Sequence, residues 1–591
     1  MQNEDIFIKK TFNRFLTSTI LALLGTTFSS FGNTLLAGHF LGKEVLSVMN
    51  ILSSFTFMYA MLGCLISVGA ASKSSIEVGR ENYASAGKYE WLTFVLSIFI
   101  PLVISIPCLI HFEGLFTLLG ADAEAYAVGG TYGRLIVGFG FLNTLMYFPF
   151  NFLRLIGKGR YGMYSFGAMG IIDVVLVYVF LKLGMGATGV ALGYIISMFV
   201  ANASGLFFLF TKNDVFKMTR PEKRERFGMV RYIIAFGGAS ALNNLCKMLR
   251  TVTMNILVAK YLGQAGLQSL AVGCSIINLA SASVTGYGQA VSPIVGVMFG
   301  ERDRKGQRQA VRVSVVNSLI FHTLLAILIM IFAPQLSTLF GIRDPEHIMQ
   351  TAVLVRVVGL SLIPASVMNI FIYYYTAIGQ NRISVILTIA HAFVFVWAAA
   401  AIHFMFDVSN LYGTAFITAE LLDFALMVIL AALRRKRDPD LKGILLEQSI
   451  YAQKFFSVVC DGSEEGAVET SKQLVEFCEE NDVSPALCMK LPLVVEELIV
   501  VLARHCFSDD SSKIDVRISL VAERVLIRLR CAGATFNPID WYNERKATLS
   551  PEEFMEDESF AMNMVEKLVN EVKYTSLFDV NNLIVAMGSG K

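Results

Sequence analysis

Charged side chains are scarce in this sequence. Asp, Glu, Lys and Arg make up 16% of its 591 residues, whereas 55% of the residues are hydrophobic. An ordinary soluble domain carries about a quarter charged residues, so this composition excludes a large soluble enzyme. The shortage is uneven, because residues 1–444 have a net charge of +13 and residues 445–591 a net charge of −11. The sequence therefore joins an apolar region to an acidic soluble one, and it gives no reason to expect nucleic-acid binding.

Cysteine motifs are missing as well. The nine cysteines form no CxxC pair, and no histidine is spaced to complete a metal site, so no bound metal is expected. Five of the nine lie in the acidic region. An odd number of cysteines without a disulfide framework is typical of reduced thiols in a reducing compartment. This predicts that the acidic region faces the cytoplasm.

Long hydrophobic segments fill the first 440 residues. A helix needs about 20 apolar residues to cross the hydrocarbon core of a bilayer. Roughly twelve such segments are present, with centres near residues 25, 58, 101, 138, 172, 198, 245, 278, 322, 366, 393 and 421. The first of them follows Lys9, Lys10 and Arg14, but it is too long for a signal peptide and no small-residue cleavage site follows. It is predicted to be the first membrane helix.

The basic residues between these segments predict the orientation of the chain. They cluster after the even-numbered segments, for example at Arg154, Lys158 and Arg160 after the fourth, whereas the alternate loops hold only scattered bases such as Lys43. Loops rich in Lys and Arg stay on the cytoplasmic side. We therefore predict a multi-pass protein of the plasma membrane, the inner membrane of a bacterium, with both termini in the cytoplasm.

An internal repeat divides the hydrophobic region into two halves. At a spacing of 221, NTLLAGHFLG from residue 33 aligns with MNILVAKYLG from residue 254, and Gly79 aligns with Gly300. A spacing of 222 pairs Gly157 with Gly379. Two halves with six spans each have the same orientation, as in transporters built from parallel repeats, whose substrate site lies between the repeats. The pattern therefore favours transport by alternating access.

Five stretches of the hydrophobic region resemble the multidrug and toxic compound extrusion (MATE) family. They are GNTLLAGHFLGKEVLSVMNI, GAASKSSIEVGRENYASAGK, IIDVVLVYVFLKLGMGATGVALGYIIS, MNILVAKYLGQAGLQSLAV and GQAVSPIVGVMFGERDRKGQ. The resemblance covers nearly all of residues 10–435. It implies a secondary transporter, not an enzyme, that exports small organic molecules, often cationic drugs, in exchange for H⁺ or Na⁺. No cofactor is expected beyond this coupling ion.

Asp173 is the first candidate for ion coupling. It lies thirteen residues after Arg160, which is about 20 Å along a helix and near the middle of the membrane. An ionisable group there is unfavourable by a few kcal/mol unless it is paired or hydrated. In the family pattern, an acid at this place belongs to the cation or proton site. Asn33 stands where many members have a second acid, and its amide oxygen can bind a cation but cannot carry a proton. A purely structural Asp173 is the alternative.

Five polar residues of the second half are candidates for the substrate cavity: Lys247, Arg250, Gln289, Glu420 and Asp423. Lys247 and Arg250 share one helix face, and they would favour an anionic or zwitterionic substrate if that face lines the cavity. Alternatively, Lys247 pairs with an acid and Arg250 reaches the membrane surface. Glu420 and Asp423 also share a face, and they are either such partners or a carboxylate pair that takes part in proton transfer. His391 is expected to be an ordinary core histidine.

The acidic region resembles the histidine-kinase-like ATPase fold of anti-sigma-factor serine kinases, through VVEELIVVLARH on a helix and CAGATFNP after a strand. At three positions this sequence lacks the residues with which the family binds its nucleotide. Val501 replaces the asparagine that serves Mg²⁺ in the family, and Cys531 replaces an aspartate that binds adenine. ESFAM, without a glycine, stands at the phosphate-binding loop. Glu496 and Gly533 keep the family frame. These residues predict a degenerate nucleotide site and a catalytically inactive domain, a pseudo-kinase.

Together these features predict an all-α polytopic membrane protein of twelve helices in two six-helix repeats, followed by a cytoplasmic α/β domain. The expected segments are 1–211 and 232–435 for the two halves, 212–231 and 436–450 for linkers, and 451–591 for the ATPase-like domain. The predicted function is ion-coupled export of small organic compounds or drugs. Membrane lipids surround the protein, and the cytoplasmic domain regulates it or recruits a protein partner. Two alternatives remain: a membrane-tethered nucleotide sensor or anti-sigma-like kinase, and a flippase of lipid-linked precursors.

Overall fold

The computed structural model describes residues 2–41, 43–118, 123–301, 303–339, 342–406, 412–448, 455–481, 483–507, 513–521, 524–577 and 580–588. The chain forms two compact units. One consists of Phe12–Glu447, and the other of Met1–Thr11 with Gln448–Lys591.

The larger unit is helical. Its helices are α1 (Gln2–Leu41, which belongs to this unit from Phe12 onward), α2 (Lys43–Gly63), α3 (Gly69–Gly79), α4 (Tyr83–Ile110), α5 (Phe112–Leu118), α6 (Ala123–Gly138), α7 (Gly140–Leu155), α8 (Gly159–Gly162), α9 (Ala168–Lys182), α10 (Gly186–Lys212), α11 (Lys223–Gly300), α12 (Arg304–Leu339), α13 (Pro345–Ala377), α14 (Asn381–Ile389), α15 (Phe395–Met405) and α16 (Thr414–Arg437). Three π-helical turns, Cys64–Val68, Met163–Gly167 and Ala390–Val394, join α2 to α3, α8 to α9 and α14 to α15. Helix α11 is two helices, because Gly263 has a non-helical backbone with φ 61° and ψ −152°. We call α1–α10 the first half and α11–α16 the second half.

Many of these helices are long and apolar enough to cross a membrane. Within the described residues there are ten, or eleven if the bent pair Gly129–Gly138 and Gly140–Leu155 is one span. The predicted segment centred near residue 245 lies in the first part of α11 and is not among them. On α4, Phe99, Val103 and Ile106 are 66%, 61% and 57% exposed. Large apolar side chains at successive turns of one helix face require an apolar solvent, which a bilayer provides.

The turns of the two halves have matching backbones at the predicted repeat spacing. Gly157 and Gly379 have φ values of 79° and 77°, the left-handed conformation that ends a helix and favours glycine. After each of them, the next amide donates a hydrogen bond of 2.8 Å to the carbonyl five residues earlier. Likewise, Asn82 and Asp303, which are 221 residues apart, each accept a hydrogen bond from the amide three residues later. The two halves therefore share local geometry as well as sequence pattern.

The smaller unit contains a five-stranded antiparallel sheet with strand order β3-β4-β5-β7-β6. Its strands are β3 (Phe455–Asp461), β4 (Lys513–Val521), β5 (Arg524–Ala532), β6 (Glu571–Leu577) and β7 (Val580–Gly588). Its helices are α17 (Glu464–Glu480), α18 (Pro485–Cys506), α19 (Pro538–Thr548), α20 (Pro551–Glu556) and α21 (Phe560–Leu568). Two short strands, β1 (Leu441–Lys442) and β2 (Glu447–Gln448), pair with each other outside this sheet.

The core of the smaller unit lies between α18 and the sheet. Leu491, Val495, Leu498 and Leu502 are fully buried, and their spacing of three or four residues places them on one face of α18. The strands contribute alternate residues to the same core, such as Val516 and its neighbours two positions away. The unit therefore has a hydrophobic core of its own.

Candidate functional site

Asp173 lies at the centre of a buried polar cluster in the first half. It is on α9 and is 0% exposed. Asn33 of α1 donates a hydrogen bond of 2.7 Å from Nδ2 to Oδ2 of Asp173, and the Ser29 hydroxyl donates a close one to the same oxygen. Oδ1 of Asp173 and Oδ1 of Asn33 are buried and accept no well-formed hydrogen bond from the described residues, although the Ser197 hydroxyl of α10 also lies close to the carboxylate. The cluster thus brings together two buried oxygen atoms that can accept a proton or a small cation.

Glycines bring α1 and α9 close enough to form this cluster. A Cβ atom added at Gly170 would lie 2.1 Å from the carbonyl oxygen of Gly25, and one at Gly32 would lie 2.4 Å from a methyl carbon of Val174. Small residues permit such close packing of helices within membranes. Asp173 therefore reaches the face of α1 that carries Ser29 and Asn33, which are one helical turn apart. Sequence reasoning missed Ser29, although its spacing of four residues from Asn33 is a usable signal.

A second acidic cluster lies in the second half. Nδ1 of His391, in the π-helical turn before α15, is 3.0 Å from Oε2 of Glu420 on α16, and both side chains are buried. Asp423 is one turn further along α16 and 0% exposed. Neither of its carboxylate oxygens has a hydrogen-bond partner among the residues described. The structure thus gives His391 an acidic partner that the sequence analysis did not anticipate.

We expect Asp423→Leu to raise the midpoint of thermal unfolding of the purified protein. A buried polar group without a hydrogen bond is unfavourable by about 1–3 kcal/mol, and leucine removes this group while it keeps the branch at Cγ. The matched variant is Glu420→Leu, which should lower the midpoint because it leaves His391 without its partner. Thermal unfolding followed by tryptophan fluorescence checks both changes. A lower midpoint for Asp423→Leu would show that its carboxylate makes a stabilising contact.

Lys247 and Arg250 lie on α11 and are partly buried. No acid in the described part of the chain is within ion-pair distance of Lys247, so the alternative in which it pairs with an acid is not seen there. Nearby, Asn244 donates a hydrogen bond of 3.6 Å to the thiol of Cys64, which belongs to the first half. Arg250 lies over the ring of Phe416, 5.8 Å from its centroid. This side of α11 is basic where it approaches the first half.

Arg154 and Gln289 connect the two halves. Nη1 of Arg154 donates to the side-chain oxygen of Gln289 at 3.2 Å, and its Nη2 donates to Oδ1 of Asn151. In turn, Nε2 of Gln289 lies 3.3 Å from the hydroxyl of Tyr373. The assignment of Arg154 to a loop was wrong, because α7 continues to Leu155 and the side chain is only 5% exposed. Gln289, a predicted substrate contact, thus lies at a polar contact between the halves.

A cavity lies beside this contact. It has a volume of about 20 Å³, enough to hold a water molecule, and is lined by Val68, Ala71, Ser72, Asn151, Arg154, Leu155, Gln289, Ser292, Pro293 and Tyr373. Its lining comes from both halves, and the only charged side chain among these described residues is Arg154. The cavity is therefore a polar, basic pocket between the repeats.

Glycines also allow the halves to touch at one end of the unit. A Cβ atom at Gly237 of α11 would lie 1.9 Å from the carbonyl oxygen of Leu65, and one at Gly79 of α3 would lie 2.0 Å from the carbonyl oxygen of Val297. Gly69 and Gly300 make similar contacts. Backbone meets backbone at each of these places, so no flexible side chain can give way. This end, which the sequence predicts to face the cytoplasm, is closed in the structure.

The predicted nucleotide site of the smaller unit is packed with apolar atoms at two positions. Val501 and Cys531 are 6% and 0% exposed and belong to its hydrophobic core. Glu496 is partly buried on α18. Gly533 has φ 149°, and a Cβ atom there would lie 2.1 Å from the carbonyl oxygen of Cys506, so this glycine fits the loop against the end of α18. Two of the four predicted positions are therefore filled by side chains of the hydrophobic core.

Aromatic rings and ion pairs cover the neighbouring loop. His505 stacks on Phe536 with ring centroids 4.3 Å apart, and its centroid is 4.6 Å from that of Trp541. Burial lowers the pKa of His505, so the ring is neutral at physiological pH. Arg504 pairs with Glu464 at 2.9 Å and with Glu558 at 3.5 Å. Glu558 precedes α21, where the family resemblance would require a glycine-rich phosphate loop.

Comparisons with known proteins agree with the helical fold. The chain matches the MatE family model over residues 19–179 and 239–401. The multidrug export protein MepA of Staphylococcus aureus strain MRSA252 is 22% identical over 388 residues, which are 64% of this chain and 84% of that protein. MepA of strain MSSA476 is 23% identical over 391 residues, with the same coverage of both chains.

Solved structures have the same fold. An outward-facing multidrug resistance MATE transporter superposes with a TM-score of 0.67 at 20% identity, covering 73% of this chain and 96% of its own. A MOP superfamily transporter of Pyrococcus furiosus, described as having a binding pocket of reverse polarity, superposes with a TM-score of 0.65 at 20% identity, covering 72% and 97%. Because the family model matches more than half of the sequence, the chain belongs to the MATE family of multidrug efflux transporters, which are secondary transporters and not enzymes.

Proposed function

We propose that this protein is an ion-coupled antiporter that exports small organic compounds across the plasma membrane. In this proposal α1–α16 form twelve spans, the first part of α11 being the seventh, and both termini lie in the cytoplasm. The observation that carries the proposal is the Asp173 cluster. A fully buried carboxylate with one hydrogen-bonded oxygen and one oxygen that accepts no well-formed hydrogen bond is an unfavourable arrangement in a membrane helix unless it binds a proton or a cation.

Both coupling ions are compatible with the atoms of this cluster. Asp173 can take up a proton by itself, whereas Na⁺ would also use the amide oxygen of Asn33. The Ser29 hydroxyl can turn to accept or to donate, so it can serve either ion. In either case water replaces the bound ion when the cluster opens to solvent.

The contact between the halves supports alternating access. Parallel-repeat transporters move one repeat against the other around a site between them. Here the halves touch through glycine backbones at the end that we assign to the cytoplasm, and a cavity lined by both halves lies next to this contact. Separation of the halves at this end would open the cavity to the cytoplasm. Closure of this end would allow the substrate to leave on the other side of the membrane.

Gradient-driven transport in reconstituted vesicles tests the proposal. The full chain is reconstituted into liposomes, and a pH gradient or a Na⁺ gradient is imposed separately. Movement of a panel of labelled small organic compounds is then followed with each gradient present or collapsed by an ionophore. We expect one of the two gradients to drive the labelled compounds in the direction opposite to the flow of the ion. Movement that does not depend on either gradient would contradict ion coupling.

For the smaller unit we propose a regulatory role without nucleotide turnover. The positions that would bind Mg²⁺ and adenine carry the buried Val501 and Cys531, and Glu558 is paired with Arg504 at the place of the phosphate loop. Phosphate binding requires exposed backbone N–H groups, and an acidic side chain repels it. A cytoplasmic protein partner or the transporter itself is then the target of this unit.

We expect the full-length protein to show no saturable binding of ATP at millimolar concentration, with or without Mg²⁺. Equilibrium dialysis of the detergent-purified chain against labelled ATP measures this directly. Should saturable binding occur, Gly533→Val provides the matched test, because its side chain would displace the loop against α18. Binding that this variant removes would favour the alternative of a membrane-tethered nucleotide sensor.

A further inference from the structure

We propose that Arg154 forms an anion site in the cavity between the two halves, and that this site receives the carboxylate or a similar monoanionic group of a small organic substrate. The identification of the bound molecule as a transported substrate rests on the transport function proposed above. The anion site itself rests only on the geometry and charge of the cavity.

The missing negative charge is the first argument. Arg154 is 5% exposed, and the described residues provide no acid within ion-pair distance of its guanidinium. The residues that line the cavity with it are otherwise neutral. Removing a charge from water is unfavourable by several kcal/mol unless an opposite charge or a full set of hydrogen bonds compensates. Two neutral side chains and one carbonyl oxygen accept from Arg154, and its buried Nε has no partner among the described residues.

The shape and lining of the cavity are the second argument. Contacts with Gln289 and Asn151 hold the guanidinium in place, and its Cζ lies over the ring of Phe150, 4.4 Å from the centroid. A fixed guanidinium fork matches the two oxygens of a carboxylate. Hydroxyl groups of Ser72 and Ser292 line the same cavity and can donate to an anion, whereas Val68, Leu155 and Pro293 offer apolar surface to an organic body. The lining thus suits a small molecule with one acidic group once movement of the halves widens the cavity.

The position between the halves is the third argument. Arg154 belongs to the first half, whereas Gln289, Ser292 and Tyr373 belong to the second. Relative movement of the halves would therefore separate Arg154 from Gln289, keep its contact with Asn151 on the same helix, and leave part of the guanidinium exposed to an incoming anion. Lys247 lies near Cys64 of the first half, and it also has no acidic partner in the described residues. The interior is basic here, which disfavours a lipophilic cation as the group bound at Arg154.

Benzoate binding to the full-length protein in detergent tests the proposal. The probes are benzoate, its neutral analogue benzamide and chloride, each titrated at constant ionic strength while thermal unfolding is followed. We expect a saturable upward shift of the unfolding midpoint with benzoate and no comparable shift with benzamide. Loss of a charge-assisted contact should weaken benzoate binding about tenfold or more in Arg154→Gln. Arg154→Lys should bind with intermediate affinity, and Arg312→Gln, which changes an exposed arginine on α12, should bind like the wild type.

Each possible result of these titrations either supports or overturns the anion site. Equal shifts with benzoate and benzamide, or equal benzoate affinity in the wild type and Arg154→Gln, would overturn the anion site. If Arg154→Gln does not fold, the comparison of the two probes on the wild type and on Arg154→Lys gives the answer. Saturation by chloride at the same concentrations as benzoate would restrict the site to inorganic anions and overturn its assignment to substrate. Benzoate binding without gradient-driven transport would contradict the antiporter function and still support the anion site. Gradient-driven transport without benzoate binding would contradict the anion site alone.

Discussion

Asp173→Asn is expected to reduce ion-coupled export by about a hundredfold in reconstituted vesicles. The substitution preserves the size of the side chain and its ability to accept hydrogen bonds from Ser29 and Asn33. It removes the negative charge and the proton-binding capacity. Interactions with a charged partner contribute up to about 3 kcal/mol, and each 1.4 kcal/mol corresponds to a tenfold change in binding. The variant should fold and bind substrate, but it should no longer respond to the coupling gradient.

The measurement is transport of a labelled compound with and without the imposed gradient, at equal amounts of reconstituted protein. Asp423→Asn is the matched control, since it changes a fully buried acid of the other half. We expect this control to keep gradient-driven transport. If Asp423→Asn abolishes the gradient dependence and Asp173→Asn does not, the coupling site lies in the second half beside His391 and Glu420.

The depth of Asp173 stays a prediction from one simple length argument, and the structure places this residue on α9 with its side chain buried. A count of residues from a basic helix end gives the depth of any side chain along the helix. Its partners were only half predictable. The sequence analysis named Asn33 through a family pattern, but Ser29 becomes a neighbour through the glycine contact of α1 with α9, and pairwise packing of distant helices is not encoded in local spacing.

Arg154 shows the opposite case. Basic residues near the ends of membrane helices normally reach water, and the sequence analysis accordingly placed this arginine in a loop. Its burial depends on Gln289, which is 135 residues away in the chain, and on the closed state of the interface. A single sequence does not specify which state of an alternating transporter is most populated. The cavity and its charge therefore could not be derived from sequence pattern alone.

In the smaller unit, apolar residues alternate in KIDVRISLV and RVLIRLRCA, a pattern typical of half-buried strands, and these segments are the paired strands β4 and β5. The substitution of Val501 at a position that the family resemblance assigns to Mg²⁺ also has a physical meaning in the structure, because the side chain is part of the hydrophobic core. By contrast, the stacking of His505 on Phe536 brings together residues from two elements, and their spacing carries no signal for it.

Gly237→Ala is expected to prevent closure of the end at which the halves touch. The added Cβ would lie 1.9 Å from the carbonyl oxygen of Leu65, so the two backbones must separate. Overpacking of this kind is typically unfavourable by about 1–3 kcal/mol, which corresponds to a shift of about ten- to a hundredfold between the closed and open states. Alanine is also a better helix former than glycine by about 1 kcal/mol, so loss of function in this variant would not result from an unstable helix.

The matched control is Gly228→Ala, on the same helix, where a Cβ would meet nothing within 4 Å. Cys64 precedes Leu65 and is 9% exposed in the closed state, so its reaction with a maleimide reports opening. Mass spectrometry of the labelled peptides separates it from the other cysteines. We expect labelling of Cys64 to be at least about tenfold faster in Gly237→Ala and unchanged in Gly228→Ala, with transport lost only in the former. Unchanged labelling in both variants would mean that the glycine contact accommodates a methyl group, and closure would then depend on the polar contact between Arg154 and Gln289.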